Sequence, residues 1–121
     1  MLLSVVMSSE DKFIHLQNRI KDFCDARDWS QFHDPKNLAI SLQLEVSEVL
    51  ELFQWTKDNK IKEGKESEMV DELADVLYFL IKLSNHYDIN LLEALEKKMV
   101  KNEQKYPVDK AKGSAAKYNE L

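Results

Sequence analysis

Pro35, Pro107, Gly64 and Gly113 are the only prolines and glycines among 121 residues. Proline removes a backbone donor and glycine raises the entropy cost of ordering, so a chain so poor in both leaves room for long uninterrupted helices. Hydrophobic content of 44% places the chain among globular proteins. An all-α fold is expected, and the few breakers mark where one helix gives way to the next.

Apolar residues recur at three- and four-residue steps in four stretches. In the first, Ser8 precedes Glu10 and Asp11 as a capping box would, and Phe13, Leu16, Ile20, Phe23 and Cys24 carry the period to Arg27. Asp34-Pro35 then supplies a carboxylate cap and a proline at the first helical position, which predicts a second helix to Trp55. Residues 56–65 are polar, contain Gly64 and read as a loop. A third helix is expected from near Ser67 to His86, and a fourth from Asn90, with Glu93 three residues on, to Lys105 before Tyr106-Pro107. Residues 1–9 read as a flexible start, with Met7 as a second possible initiator, 10–106 as one helical domain and 107–121 as an irregular tail. Four helices with short connections, and no internal repeat, predict a bundle.

Helical projection divides the second helix into a polar stripe of Gln43, Ser47, Glu51 and Gln54 and an opposite side carrying Leu38, Leu42, Val49 and Leu52. Glu45 and Glu48 fall on that apolar side. The third helix is apolar nearly all round, with Glu72 and Asp75 beside Met69, Val76, Phe79 and Leu83. A 121-residue chain cannot easily cover such a helix, so a homo-oligomer with the second and third helices at its interface is expected.

Glu45-x-x-Glu48 and Glu72-x-x-Asp75 each place two carboxylates on one helix face, and all four converge if the two helices pack side by side. In an acidic chain, Glu-x-x-Glu arises often as a solvated pair. Here both pairs fall where surface glutamates should not be. Clustered anions with little hydration must protonate or hold cations, and oxygen-only ligation suits Mg²⁺, with Mn²⁺ as a substitute. A di-iron or di-manganese carboxylate bundle would need Glu-x-x-His, and neither His15, His33 nor His86 follows a Glu by three residues.

Seventeen Lys and Arg against 22 Asp and Glu leave a net charge of -5, which argues against a nucleic-acid partner. A single cysteine, Cys24, permits no intramolecular disulfide and fits a reducing, cytoplasmic setting. Its helical position reads as packing. No apolar stretch approaches the roughly 20 residues of a membrane span, and the start lacks the marks of a signal peptide. On the fourth helix the stripe of Leu91 and Leu95 continues as Lys98, Asn102 and Lys105, either a phosphate- and sugar-binding seam or a solvated end suited to the helix dipole. Trp29 and Trp55 flank the second helix and, on composition alone, read as core.

Together these motifs resemble the MazG-like all-α nucleotide pyrophosphohydrolases, and within that family its dCTP-hydrolysing members. The likeness runs from about Phe13 through Arg27-Asp28-Trp29-Ser30-Gln31-Phe32-His33, Pro35-Lys36-Asn37-Leu38, Glu51-Leu52-Phe53-Gln54-Trp55, Lys98-Met99 and Lys101-Asn102 to Tyr106-Pro107-Val108, Lys112-Gly113-Ser114-Ala115 and the end. It implies a catalytic domain over 10–106 that assembles as a homotetramer. It further implies Mg²⁺ on Glu45, Glu48, Glu72 and Asp75, with Glu48 or Glu45 available as a base. The substrate would be a nucleoside triphosphate, with Trp29, His33, Trp55 and Phe79 around the base, Asn102 near the sugar and Lys98 on phosphate. Ile20 and Phe79 stand where those members carry histidine and tyrosine. Losing two polar groups weakens discrimination, so another deoxynucleotide or a modified base becomes admissible. The rival expectation is a non-catalytic helical protein that senses nucleotides.

Overall fold

A computed structural model of the chain describes residues 6–121. Among the described residues all regular structure is helical: α1 (Ser9–Ala26), α2 (Pro35–Glu51), α3 (Glu66–His86), α4 (Leu91–Lys105) and α5 (Val108–Ala111), with short 3₁₀ turns at Ser30–Phe32 and Tyr118–Glu120. The expected start over residues 1–9 lies partly outside the described residues, and Ser9 is already helical. The chain forms two compact units, one ending at Asp88 and the other running from Ile89 to Leu121.

In the first unit, each helix begins where the sequence supplies an acceptor. The Ser8 hydroxyl accepts from the Asp11 N–H and the Asp11 carboxylate accepts from the Ser8 N–H, closing the capping box of α1. The Asp34 carboxylate accepts from both the backbone and side-chain amides of Asn37, at 2.8 Å each, and Pro35 occupies the first turn of α2. Such caps satisfy donors that the helix itself cannot, and each contributes about 1 kcal/mol.

α2 stops at Glu51, four residues short of the expected Trp55. The Phe53 and Gln54 amides donate three residues back, tightening the last turn. The Lys62 N–H then donates to the Leu52 carbonyl at 2.8 Å, and Trp55 adopts a left-handed backbone with φ 67°. The apolar period persists through Leu52 and Trp55, but this returning strand of loop takes the acceptor that another helical turn would use. Gly64, with φ 80°, meets the same need for a left-handed turn without a Cβ penalty just before α3.

α3 packs mainly against α2 and also against α1. Cys24, Leu38, Leu52 and Ile81 are the buried apolar residues between these helices. Burying each Leu or Ile contributes about 1.5–3 kcal/mol. Val70, Leu73, Leu77 and Leu80 of α3 and Ile40, Leu44, Val46 and Leu50 of α2 stay exposed, leaving an apolar outer surface on both helices.

In the second unit, the Asn90 side chain caps α4 by accepting from the Glu93 N–H, and Tyr106-Pro107 ends the helix. The expected irregular tail is partly regular. α5 and the final 3₁₀ turn lie within it, and Tyr118 packs edge-on against Tyr106 and under the Lys105 ammonium.

Candidate active site between the second and third helices

Pairing α2 with α3 brings Glu45, Glu72 and Asp75 together, so that one carboxylate oxygen from each lies within 4.8 Å of the others. The i, i+3 spacing on each helix put both members of each pair on one face, and helix packing brought the two faces into register. Glu48 stands beside this trio without joining it, close enough to raise both Glu45 and Glu72, and Glu48 and Asp75 are exposed rather than inward-facing as expected, because they sit at the solvent edge of the packed helix pair.

The electrostatics follow from this crowding. The neighbouring Glu48 carboxyl, together with shelter from water and the charges of Glu48, Glu45 and Asp75, raises Glu72 from 4.5 to about 7. Glu45 is raised as well, first by burial and then by Glu48 and Asp75. One oxygen of Glu45 and one of Glu72 are sealed from solvent and accept no hydrogen bond. Orphaned buried oxygens of this kind are costly unless a cation or proton occupies the gap. The donor set is all oxygen, which fits a hard divalent ion.

The other expected site residues fall in several places. His33 and Phe79 lie half-buried in the first unit; Phe79 is one turn beyond Asp75 toward the α3 C-terminus, and His33 meets Lys82, two turns beyond it. Trp29 is half-exposed and packs edge-on against Phe23 at 5.6 Å between ring centroids. Trp55 is 90% exposed, so its reading as a core residue fails. Its place on a left-handed turn beyond α2 holds it out of the helix packing. Lys98 is exposed and Asn102 half-buried on α4, in the second unit, and Lys105 stands over Tyr118.

The motif from Arg27 to His33 is a tightly bonded corner. The Arg27 guanidinium donates to the Phe23 carbonyl and lies 3.8 Å over the Phe23 ring, and the Ser30 hydroxyl donates to Asp25 at 2.6 Å. This corner delivers His33 to Lys82, whose Nζ is 3.2 Å from His33 Nε2. Lys82 and Tyr78 were not among the candidates read from the sequence. Lys82 is buried, and its ammonium sits 4.5 Å from the ring centroids of both Tyr78 and Phe79. The Tyr78 hydroxyl meets Lys82 Nζ at 3.4 Å and Cys24 Sγ at 3.6 Å, completing a part-buried polar chain from α1 to His33. The available signal was Lys82 itself, the only charge in the otherwise apolar run Val76–Ser84.

Fold and site thus define an all-α protein with an oxygen-only candidate site for a divalent cation. Residues 40–121 match the model of the MazG-like family, and the chain belongs to that family. It is 40% identical over 105 residues to mouse dCTP pyrophosphatase 1, a match covering 83% of this chain and 62% of that protein. The bovine protein of the same name is 36% identical over 119 residues, covering 94% of this chain and 70% of its own length. The chain therefore spans somewhat under two thirds of the mouse relative. A crystal structure of a pyrophosphatase from Archaeoglobus fulgidus DSM 4304 is similar with a TM-score of 0.76 and 39% identity, covering 85% of this chain and 99% of that one. Among the described residues no helix is long and apolar enough to cross a membrane.

Proposed function

We propose that the chain is a Mg²⁺-dependent nucleoside triphosphate pyrophosphohydrolase, converting a (d)NTP and water to the monophosphate and pyrophosphate. The observation that carries this reading is the cluster of Glu45, Glu72 and Asp75 with two sealed, unpartnered oxygens. The names of the relatives and of the solved structure support the reaction class and dCTP as a candidate substrate, and the weaker discrimination expected of Ile20 and Phe79 admits a modified analogue.

Glu45, Glu48, Glu72 and Asp75 would hold the ion, with Mn²⁺ as a substitute. When bound, a divalent ion supplies positive charge against phosphate oxygens and acidity to water. The residues themselves do the rest. Glu48 or Glu45 accepts a proton from the attacking water as its oxygen bonds to phosphorus and the α–β anhydride bond breaks, releasing pyrophosphate. Glu45, raised above the usual carboxylate range by burial and then by Glu48 and Asp75, suits that exchange. Trp29, Trp55, His33 and Phe79 would surround the base, Asn102 the sugar and Lys98 a phosphate. The apolar outer faces of α2 and α3 support a homo-oligomer, a tetramer in this reading, because side chains such as Leu44, Leu50 and Val70 are left in water without a second copy.

Incubating the chain with dNTPs and Mg²⁺ tests the proposal. Pyrophosphate should be released, and Glu48→Ala or Asp75→Ala should abolish release while helical circular dichroism is retained. A nucleotide-sensing protein would bind and release nothing, and turnover by either variant would reject the site.

A further inference from the structure

Lys82 is 7% exposed and has no carboxylate within salt-bridge distance among the described residues. An ammonium has three hydrogens to donate. His33 Nε2 and the Tyr78 hydroxyl account for two, and no acceptor for the third is found among the described residues. Burial without an acidic partner depresses its basicity, and the same burial, with the charge of Lys82, lowers that of His33. Unpaired cations in apolar surroundings cost stability, so a helix of otherwise packing residues carries one only at a penalty.

Its place relative to the acids gives the penalty a use. Lys82 follows Asp75 by seven residues, which returns it to the same face of α3 roughly 10 Å further along the axis. Phe79 lies on the turn between them, and Tyr78, Phe23 and Trp29 extend an aromatic wall edge to edge from there. A nucleotide whose phosphates lie at the carboxylates would therefore bring its base toward Phe79, with its hydrogen-bonding edge at Lys82 and His33.

We propose that Lys82 is a specificity-determining residue, its free N–H donating to an exocyclic carbonyl oxygen of the nucleobase, with His33 fixing the ammonium in place. This deepens the pyrophosphohydrolase reading and rests on it. Bases with a carbonyl, such as cytosine and uracil, are favoured over adenine, which has none.

The experiment compares kcat/KM for dCTP with that for dATP in the wild type, Lys82→Met and Lys82→Arg. Base size contributes equally in each protein, and the folded fraction cancels from the ratio, so the comparison isolates the donor even where a variant is partly unfolded. The wild type should prefer dCTP, Lys82→Met should lose about 10- to 100-fold of that preference, the strength of one charged hydrogen bond, and Lys82→Arg should keep most of it. A wild type without the preference, an unchanged ratio in Lys82→Met, or an equal slowing on both nucleotides would overturn the assignment. The same ratio of Kd values, read calorimetrically, tests Lys82 without turnover. Absence of pyrophosphate alone would instead sink the reaction assigned above.

Discussion

Glu72 makes the acid cluster a site where protons and metal ions compete. Its carboxyl is raised from 4.5 to about 7, chiefly by the neighbouring Glu48, and so holds a proton up to near neutrality. An ion entering the cluster must displace that proton, so below the raised value each pH unit weakens binding about tenfold. From about pH 8, where about nine-tenths of Glu72 is ionised, to about pH 6, where about one-tenth is, Mg²⁺ affinity should fall about tenfold on this group alone. Glu45, raised in the same direction by burial, steepens the fall. The sign for folding is the opposite. A carboxyl whose value is raised on folding favours the folded chain at low pH, and that advantage is lost as pH rises from 4.5 through about 7. Metal-free protein should therefore melt lower toward about pH 8, and Mg²⁺ should restore most stability there. Calorimetric titration of Mg²⁺ across this range, with parallel melting curves, reads both effects. Glu72→Gln should flatten the pH dependence and raise the metal-free melting temperature. Mg²⁺ binding independent of pH, or a Mg²⁺ response unchanged in Glu72→Gln, would refute the reasoning.

Two further outcomes follow from the packing. Leu38→Ala opens a cavity where α2 meets the core and should cost about 2–5 kcal/mol in urea denaturation, leaving the acid spacing on each helix intact. Lys82→Met removes a buried charge without an acidic partner and should raise the melting temperature of substrate-free protein. Because the Lys82 value is lowered on folding, the wild type should gain stability as pH rises toward 10.5, and the variant should lose that part of the dependence.

The four helices and the acid pairs were legible because both are local. A cap at Ser8, Asp34 or Asn90 and an i, i+3 carboxylate spacing depend only on neighbours in the chain. The end of α2 was not, since the Lys62 amide that bonds to Leu52 arrives from ten residues away. Lys82 stayed hidden for the same reason. Its partners come from the corner before α2 and its own preceding turn, with Cys24 of α1 reached through Tyr78, and only the packed helices bring Cys24, His33 and Tyr78 into one chain of contacts. Trp55 reads as a core residue by composition, yet the left-handed turn at its own backbone holds it in solvent.

The most direct measurement is anomalous diffraction from crystals of the protein grown with Mn²⁺. The account predicts a manganese peak enclosed by oxygens of Glu45, Glu72 and Asp75, with Glu48 alongside. A structure at high Mn²⁺ with no ion there, and with those side chains turned apart into water, would contradict it.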